Sequence, residues 1–249
     1  MTTEKNRSEP DNRQFTQVVM IVSLLAGIVM AILFLNMPEI DLIVQRWFYN
    51  GQAGQPFGFI LMQYPWVSVA RRMVMIAYGI WYIIIVLGLI SAIVKKPWPL
   101  ARYLNFDFRQ WLFLTLASLA GPLLIANVLL KDNWGRARPR QVLEFGGDLQ
   151  FSPPILLSEQ CQTNCSFVSG EASSMFMIFI SLAFVLPLKR RLLVSLMLIF
   201  GSLSGLMRIG FGAHFFSDVV FAGVLMSLCA SLIYWVMFYS KYALEEPKV

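Results

Sequence analysis

Six long runs of apolar residues, separated by shorter polar segments, dominate the pattern along this chain. Each run approaches or reaches the roughly 20 residues that a helix needs to cross the hydrocarbon core of a bilayer. The runs cover residues 16–36, 73–94, 110–130, 172–188, 192–207 and 216–239. This pattern predicts an all-α membrane protein with six transmembrane helices, and residues 1–249 are expected to form one domain.

The composition agrees with the bilayer and excludes an ordinary soluble domain. Of the 249 residues, 57% are hydrophobic and only 14% are charged, and the mean hydropathy is +0.64. Residues 1–15 are hydrophilic, and the apolar run after them is longer than that of a typical signal peptide, with no small-residue cleavage site behind it. We therefore expect the first helix to be retained.

The positions of the basic residues predict an orientation. With a cytoplasmic N-terminus, the inner segments hold twelve Lys and Arg and the outer segments three, once the cations of the candidate site are set aside. The positive-inside rule then places both termini, residues 1–15 and 240–249, in the cytoplasm. Segments 37–72 and 131–171 become periplasmic, as in a bacterial inner-membrane protein. The net charge of +6 thus needs no nucleic-acid partner.

The outer segment 37–72 is rich in aromatic residues and broken by glycine and proline. An aromatic belt at the headgroup level explains this composition, because Trp and Tyr concentrate at both membrane interfaces. The functional alternative is a rim that guides a lipid, with Arg71 and Arg72 attracting an anionic headgroup. The sequence leaves both interpretations open and predicts no oligomeric state.

The chain contains a single histidine, His214, in a polar cluster between two apolar runs. Arg208 precedes it by six residues and Asp218 follows it by four. Phosphoryl transfer uses such a set: a nucleophile, a cation for the phosphate oxygens and a carboxylate that accepts the far N–H of the ring. Taken alone, a lone histidine near a helix end is more often a capping or interfacial residue.

Two further polar clusters are expected on the same face of the membrane. One runs from Lys131 to Arg138, directly after the third apolar run, and the other is Ser169-Gly170-Glu171, at the start of the fourth. Charged residues are costly near lipid, so their convergence indicates a functional site. The cations would surround the oxygens of a phosphoryl group, and the helix start at Ser169 and Gly170 would favour an anion.

Cys161 and Cys165 lie four residues apart in the long segment 131–171. In an oxidising periplasm they can form a small-loop disulfide. A metal site is the weaker interpretation, because no other cysteine and no histidine lies nearby in the sequence. Cys229 lies within the last apolar run and is interpreted as a small apolar filler.

The three clusters together resemble the signature of the type 2 phosphatidic acid phosphatase superfamily. The motifs are Lys-x6-Arg-Pro, Ser-Gly at a helix start and Arg-x5-His-x3-Asp, in that order between residues 131 and 218. The resemblance implies a six-helix membrane phosphatase that uses no metal or other cofactor. It further implies His214 as the nucleophile, with phosphate bound by a set of five residues. These are Lys131, Arg138, Ser169, Gly170 and Arg208.

Two positions depart from the family pattern. Met207 replaces the serine that commonly precedes the arginine of the third motif, and Glu171 replaces the histidine of Pro-Ser-Gly-His. In the family, that histidine protonates the leaving group. Glu171 can serve as the acid instead; the alternatives are that it only pairs with an arginine, or that the protein is an inactive member.

Within the superfamily, the wider loop pattern resembles bacterial lipid A phosphatases. It comprises Glu144-Phe-Gly-Gly147, Pro153-Pro154 and Cys165-Ser-Phe-Val-Ser-Gly-Glu171. This likeness implies removal of the 1- or the 4′-phosphate of lipid A, with the 4′ position favoured. Undecaprenyl diphosphate and phosphatidylglycerol phosphate are alternative substrates. A lipid-to-lipid phosphotransferase and a non-catalytic lipid-binding protein are alternative functions.

Overall fold

The computed structural model describes residues 5–51 and 58–240, with side chains from residue 12 onward. Within these ranges the regular structure is helical, with two isolated β-bridges and no strand. The predicted all-α class is therefore confirmed. Residues 1–4 and 241–249 of the predicted cytoplasmic tails, and residues 52–57 of the first outer segment, lie outside the described residues.

Most helices follow one another with short connections, and the two long connections precede the helices that begin at Pro65 and Gly170. The α-helices are α1 (Lys5–Asn36), α2 (Glu39–Arg46), α3 (Pro65–Ile93), α4 (Pro99–Leu104), α5 (Phe108–Ser118), α6 (Lys131–Asn133), α7 (Gly170–Val185), α8 (Arg190–Gly210) and α9 (Phe216–Phe238). A π-helix, Leu119–Leu130, joins α5 to α6 without a break. Short 3-10 turns lie at Ile60–Gln63, Pro139–Gln141, Leu143–Phe145 and Pro187–Lys189.

Five continuous helical stretches in the described chain are long and apolar enough to cross a membrane. They are Asn12–Asn36, Pro65–Ile93, Phe108–Asn133, Pro187–Gly210 and Phe216–Phe238. The predicted fourth helix is α7, whose 16 residues fall short of the roughly 20 that a full span needs. Most of its side chains are buried against the other helices. The chain is thus a multi-pass membrane protein, while the count of six crossing helices stays a prediction.

The second apolar run corresponds to a helix that begins eight residues earlier than expected, at Pro65 instead of residue 73. Proline is favoured in the first turn of a helix, where its missing N–H costs nothing. The two charges of Arg71 and Arg72 interrupt the apolar pattern, so the pattern alone does not predict the true start of the helix. Both arginines therefore lie in the second turn of α3, and the outer segment is shorter than residues 37–72.

The π-helix shapes the third span where it approaches the polar end of the bundle. Pro122 lies inside it and has no N–H to donate to an α-helical ladder. The side-chain amide of Asn127 donates to the carbonyl of Pro122, five residues earlier, at 2.7 Å. This bond leaves the amide oxygen of Asn127 free to accept from Lys131.

At the opposite end of the bundle, arginines lie against aromatic rings of a neighbouring helix. The guanidinium of Arg13 lies 5.5 Å from the ring centre of Trp235, and that of Arg109 lies 4.8 Å from Phe238. Such cation–π contacts hold the start of α1 and the start of α5 to the end of α9. The start of α1 and the end of α9 therefore lie at the same end of the bundle.

The short helix α2 and the chain after it support the turn that carries His214. Gln45 is buried and donates to the carbonyl of Ile209, in the last turn of α8, at 2.8 Å. Gly212 then turns the chain with φ +59°, and a side chain there would lie 2.4 Å from the ring of Phe59. A small buried cluster that includes Phe59 and Phe215 fills the space beneath this turn. The turn is thus fixed by packing on both sides.

Candidate active site

A cavity of about 510 Å³ opens at the end of the bundle where the three motifs meet. It receives residues from α3, the π-helix, α6, α7, the end of α8 and the loops before α7 and α9. Its lining residues are Arg71, Tyr78, Tyr82, Leu119, Leu123, Asn127, Lys131, Arg138, Asn164, Gly170, Glu171, Ser174, Arg208 and His214. Six of the eight residues predicted for the reaction line it; Ser169 and Asp218 lie behind its wall, fully buried.

Lys131 is held in the cavity by Asn127. Its Nζ donates to Asn127 Oδ1 at 2.7 Å, one helical turn away. Gly170 allows this pair to approach the start of α7, because a Cβ there would lie 2.5 Å from Asn127 Oδ1 and 2.8 Å from Lys131 Nζ. The second and first motifs therefore meet at a point where only glycine fits. The acceptor is neutral, so the ammonium keeps its full charge for an anion.

Arg138 is positioned by Asn164, which lies in the loop closed by the cysteines. Arg138 Nε donates to the carbonyl of Asn164 at 3.0 Å, and Nη2 donates to its side-chain oxygen at 2.6 Å. A disulfide joins Cys161 to Cys165, and Asn164 within that small ring adopts φ 50°. Burial lowers the pKa of Arg138 below its usual value; an arginine in such a place still carries its charge at neutral pH.

Two buried polar atoms in the motifs have no hydrogen-bond partner among the described residues. One is the hydroxyl of Ser169, which is fully buried at the N-cap of α7, and the other is Nε of Arg208 at the end of α8. A buried polar group without a partner is costly. Arg208 lines the cavity, so a phosphate oxygen there would satisfy its Nε, and the start of α7 adds its backbone N–H groups.

His214 is buried and oriented by a backbone carbonyl. Its Nδ1 lies 2.6 Å from the carbonyl oxygen of Ser166, which can only accept, so Nδ1 carries the proton and Nε2 keeps its lone pair. Burial lowers the pKa of His214 to about 4, although the nearby carboxylate of Asp218 opposes this shift. The ring is therefore neutral at physiological pH, with one nitrogen free to attack.

The sequence predicted that Asp218 accepts a hydrogen bond from the ring of His214, but the structure shows it acting through neighbouring groups. Its Oδ2 lies 3.6 Å from His214 Nδ1, which is too long for a hydrogen bond. The same oxygen accepts from Ser166 Oγ at 2.5 Å and from the backbone N–H of Phe215 at 2.8 Å. Asp218 thus fixes the segments that carry Ser166 and His214. It does not bond the ring itself, because the carbonyl of Ser166 already accepts from Nδ1.

A buried ion network behind the site was missed by the sequence analysis. Arg136 is fully buried and donates to Asp218 Oδ1 at 2.6 Å and to Asp41 Oδ2 at 2.7 Å. Asp41, from α2, also accepts from the N–H of Ser217 at 2.8 Å. Burial raises the pKa of Asp41, whereas the charge of Arg136 opposes this shift. The network fixes the start of α9 and, through Asp218, the loop of His214.

Glu171 faces the cavity from the first turn of α7 and is paired with cations. Arg71 binds it with Nε and Nη2, and Arg208 Nη1 lies 3.5 Å from Oε1. Arg71 therefore belongs to the site, which answers one question that the sequence left open. Arg72 is exposed and does not line the cavity.

The charged side chains of the cavity suit a phosphate better than a bound metal ion. Four cations and one carboxylate line the cavity, and the described residues contain no group of three or more His, Cys, Asp or Glu that could hold a metal. That the reaction needs no metal stays a prediction. A neutral imidazole facing clustered cations at the end of a helical bundle defines a membrane-embedded phosphatase.

Comparisons with known proteins identify the family. Residues 111–242 match the PAP2 superfamily, and the chain belongs to it. It is 34% identical over 212 residues to a lipid A 4′-phosphatase of Francisella tularensis subsp. novicida, covering 84% of this chain and 91% of that protein. No solved structure matches the chain.

Two further relatives carry the same name and are matched over a shorter part. A lipid A 4′-phosphatase of Rhizobium leguminosarum is 41% identical over 58% of this chain and 59% of its own length. One of Rhizobium etli is 45% identical over 53% of this chain and 48% of its own length. The predicted class, a membrane phosphatase of PAP2 type, is confirmed.

Proposed function

We propose that this protein hydrolyses a phosphate monoester of lipid A, at the 4′ position, through a phosphohistidine. The observation that carries the proposal is the convergence of a neutral His214 with Lys131, Arg138 and Arg208 on one cavity. The nucleophile and the charge that stabilises the transferred phosphoryl group are then already in place before substrate arrives.

The first half-reaction joins phosphorus to His214. Nε2 donates its lone pair to phosphorus while the bond to the sugar oxygen breaks. The cations and the backbone N–H groups at the start of α7 stabilise the charge spread over the three remaining oxygens. The imidazolium that forms keeps its Nδ1 proton on the carbonyl of Ser166, with the charge of Asp218 nearby.

Glu171 supplies the proton that the leaving oxygen needs. A sugar alkoxide is a poor leaving group, so protonation as the O–P bond breaks lowers the barrier. In the second half-reaction the Glu171 carboxylate takes a proton from water as that water attacks phosphorus. The P–Nε2 bond breaks, inorganic phosphate leaves, and both His214 and Glu171 return to their starting states.

The apolar part of the cavity supports a lipid substrate. Tyr78 and Tyr82 of α3 face Leu119 and Leu123 of the π-helix across it. Both leucines are about half exposed at the surface of the bundle, where the bilayer would lie. A phosphate carried on a lipid could therefore enter sideways and leave its acyl chains in the membrane.

Two observations support the substrate and the location. All three relatives are named lipid A 4′-phosphatases, which favours that lipid and that position. The arginines at the bundle end opposite the cavity favour a cytoplasmic location for that end, by the positive-inside rule. The cavity then faces the periplasm from the bacterial inner membrane, with both termini in the cytoplasm.

The test uses the purified full-length protein in mixed micelles with lipid A bearing both phosphates. We expect release of inorganic phosphate and, by mass spectrometry, a product that lacks the 4′-phosphate. His214→Ala should lower the rate at least about 1000-fold, because it removes the nucleophile. Arg72→Ala, which changes an exposed cation outside the cavity lining, is the control and should stay near the native rate.

Three results would contradict the proposal. Transfer of labelled phosphate to an added acceptor lipid instead of water would indicate a phosphotransferase. Loss of the 1-phosphate alone would overturn the assignment of position. Unchanged phosphate release by the folded His214→Ala variant would overturn the mechanism.

A further inference from the structure

Arg71 reaches the cavity from a helix that carries none of the three motifs. Its Nε lies 3.0 Å and 3.2 Å from the two carboxylate oxygens of Glu171, and its Nη2 lies 2.8 Å from Oε1. A two-pronged contact of this kind fixes both the position and the plane of a carboxyl group. The Glu171 side chain is only 13% exposed, so little solvent competes for it.

The cations of the cavity differ in the groups that hold them: some are held by neutral acceptors and one is paired with a carboxylate. Lys131 is held by the amide oxygen of Asn127, and Arg138 by oxygens of Asn164, so neutral acceptors leave both charges available to an anion. Arg208 keeps Nε without a partner among the described residues and approaches Glu171 only at 3.5 Å. Arg71, by contrast, is committed to the carboxylate.

We propose that Arg71 is a positioning residue that holds Glu171 for both of its proton transfers, an inference that rests on the proposed function. When Glu171 gives a proton to the sugar oxygen, the guanidinium of Arg71 holds the carboxylate that forms. When that carboxylate then takes a proton from the attacking water, the same contact has kept it aimed at phosphorus. Arg71 itself gains and loses no proton.

The adjacent residue provides a matched control. Arg72 has the same charge and lies in the same turn of α3, but it is exposed and outside the cavity lining. A general effect of positive charge on a negatively charged lipid would be shared by both arginines. A positioning role belongs to Arg71 alone.

The experiment is a double-mutant cycle on phosphate release from lipid A by the full-length protein. We expect Glu171→Gln to lower kcat about 100-fold, as for a lost general acid, and Arg71→Ala to lower it about tenfold or more with little change in KM. The double variant should fall within about threefold of Glu171→Gln alone, because residues that act as a unit are not additive. Arg72→Ala should keep the native kcat.

Arg71→Lys separates positioning from charge. Lysine keeps the positive charge but has no planar fork, so we expect its kcat to stay within about threefold of that of Arg71→Ala. A second substrate gives an independent measure: an acyl-chain amphiphile that carries a nitrophenyl phosphate. Its leaving group needs little protonation, so Arg71→Ala and Glu171→Gln should both slow the first turnover, measured as the burst of nitrophenol, far less than they slow the first turnover of lipid A.

The outcomes distinguish a failure of the positioning role of Arg71 from a failure of the proposed phosphatase function. Additive losses, full recovery with Arg71→Lys, or a rise in KM at constant kcat would each overturn the positioning role while leaving the phosphatase intact. A native protein that releases phosphate from neither substrate would overturn the proposed function and this inference with it. Thermal unfolding of each variant, compared with Arg72→Ala, identifies any loss that comes from misfolding.

Discussion

The proposed chemistry depends on the state of one imidazole. His214 is buried beside cations, and a carbonyl fixes its tautomer, so the ring is neutral and Nε2 is the free nitrogen. A neutral ring at pH 7 is a better nucleophile than a protonated one. The same burial means that acid affects folding, because the unfolded chain binds a proton near pH 6.5 and the folded chain only near pH 4.

The single histidine allows this state to be measured directly. In an NMR titration of the full-length protein in detergent, the one imidazole signal should move with a midpoint near pH 4. The contribution of His214 to stability should be fully present above pH 6.5 and decrease as the pH falls toward 4, because protons then favour the unfolded chain. A midpoint near 6.5 would show that burial does not control this ring.

At the scale of elements, the site is fixed by contacts between α2, the loop after α6 and the start of α9. Asp41 of α2 and Asp218 of α9 share the guanidinium of Arg136, which comes from the loop after α6. All three side chains are fully buried. The short helix α2, which carries none of the three motifs, therefore helps to fix the loop of His214.

Removing the shared cation should be costly. Arg136→Met leaves two buried carboxylates without their shared cation, and we expect a loss of roughly 3–5 kcal/mol in the free energy of unfolding. Denaturant unfolding in detergent measures this loss, with Arg140→Met as the exposed control. If Arg136→Met unfolds like the native protein, the network contributes nothing to stability.

The sequence predicts the reacting residues better than their partners. Lys131, Arg138 and Arg208 stand out because charges are rare near apolar runs, and the spacing of the motifs supplies their order. Asp41 gives no such signal, since it lies 95 positions from Arg136 and only folding brings the two together. Arg71 interrupts the apolar run of its own helix, so the sequence placed it in the outer segment and did not predict its contact with Glu171.

The whole molecule has two chemically different ends. The cavity lies at one end, and at the other end arginines lie on aromatic rings. Helix α7 connects the two, because Gly170 lines the cavity and the turn Pro187–Lys189 follows its far end. The comparisons show the family and the phosphatase class, and the long apolar helices support the multi-pass fold; the single domain and the orientation stay predictions.

The orientation can be tested with two exposed leucines. Leu143 lies in the loop near the cavity and Leu188 in the turn at the opposite end; their exposures are 57% and 100%. In cells with a permeabilised outer membrane, an impermeant maleimide should label Leu143→Cys but not Leu188→Cys. Native cysteines give little background, because two are disulfide-bonded and Cys229 is buried. The reverse labelling would invert the proposed topology.

The disulfide links the site to the compartment in which the chain matures. Cys161 and Cys165 close a ring of three intervening residues, and one of these, Asn164, holds Arg138. In a reducing environment that ring would be open, and Asn164 would keep contacts such as the bond from its N–H to Asp132 Oδ1 at 3.1 Å. In the proposed orientation the loop faces the periplasm, so export would close the ring and further restrain Asn164, the residue that positions Arg138 for phosphate.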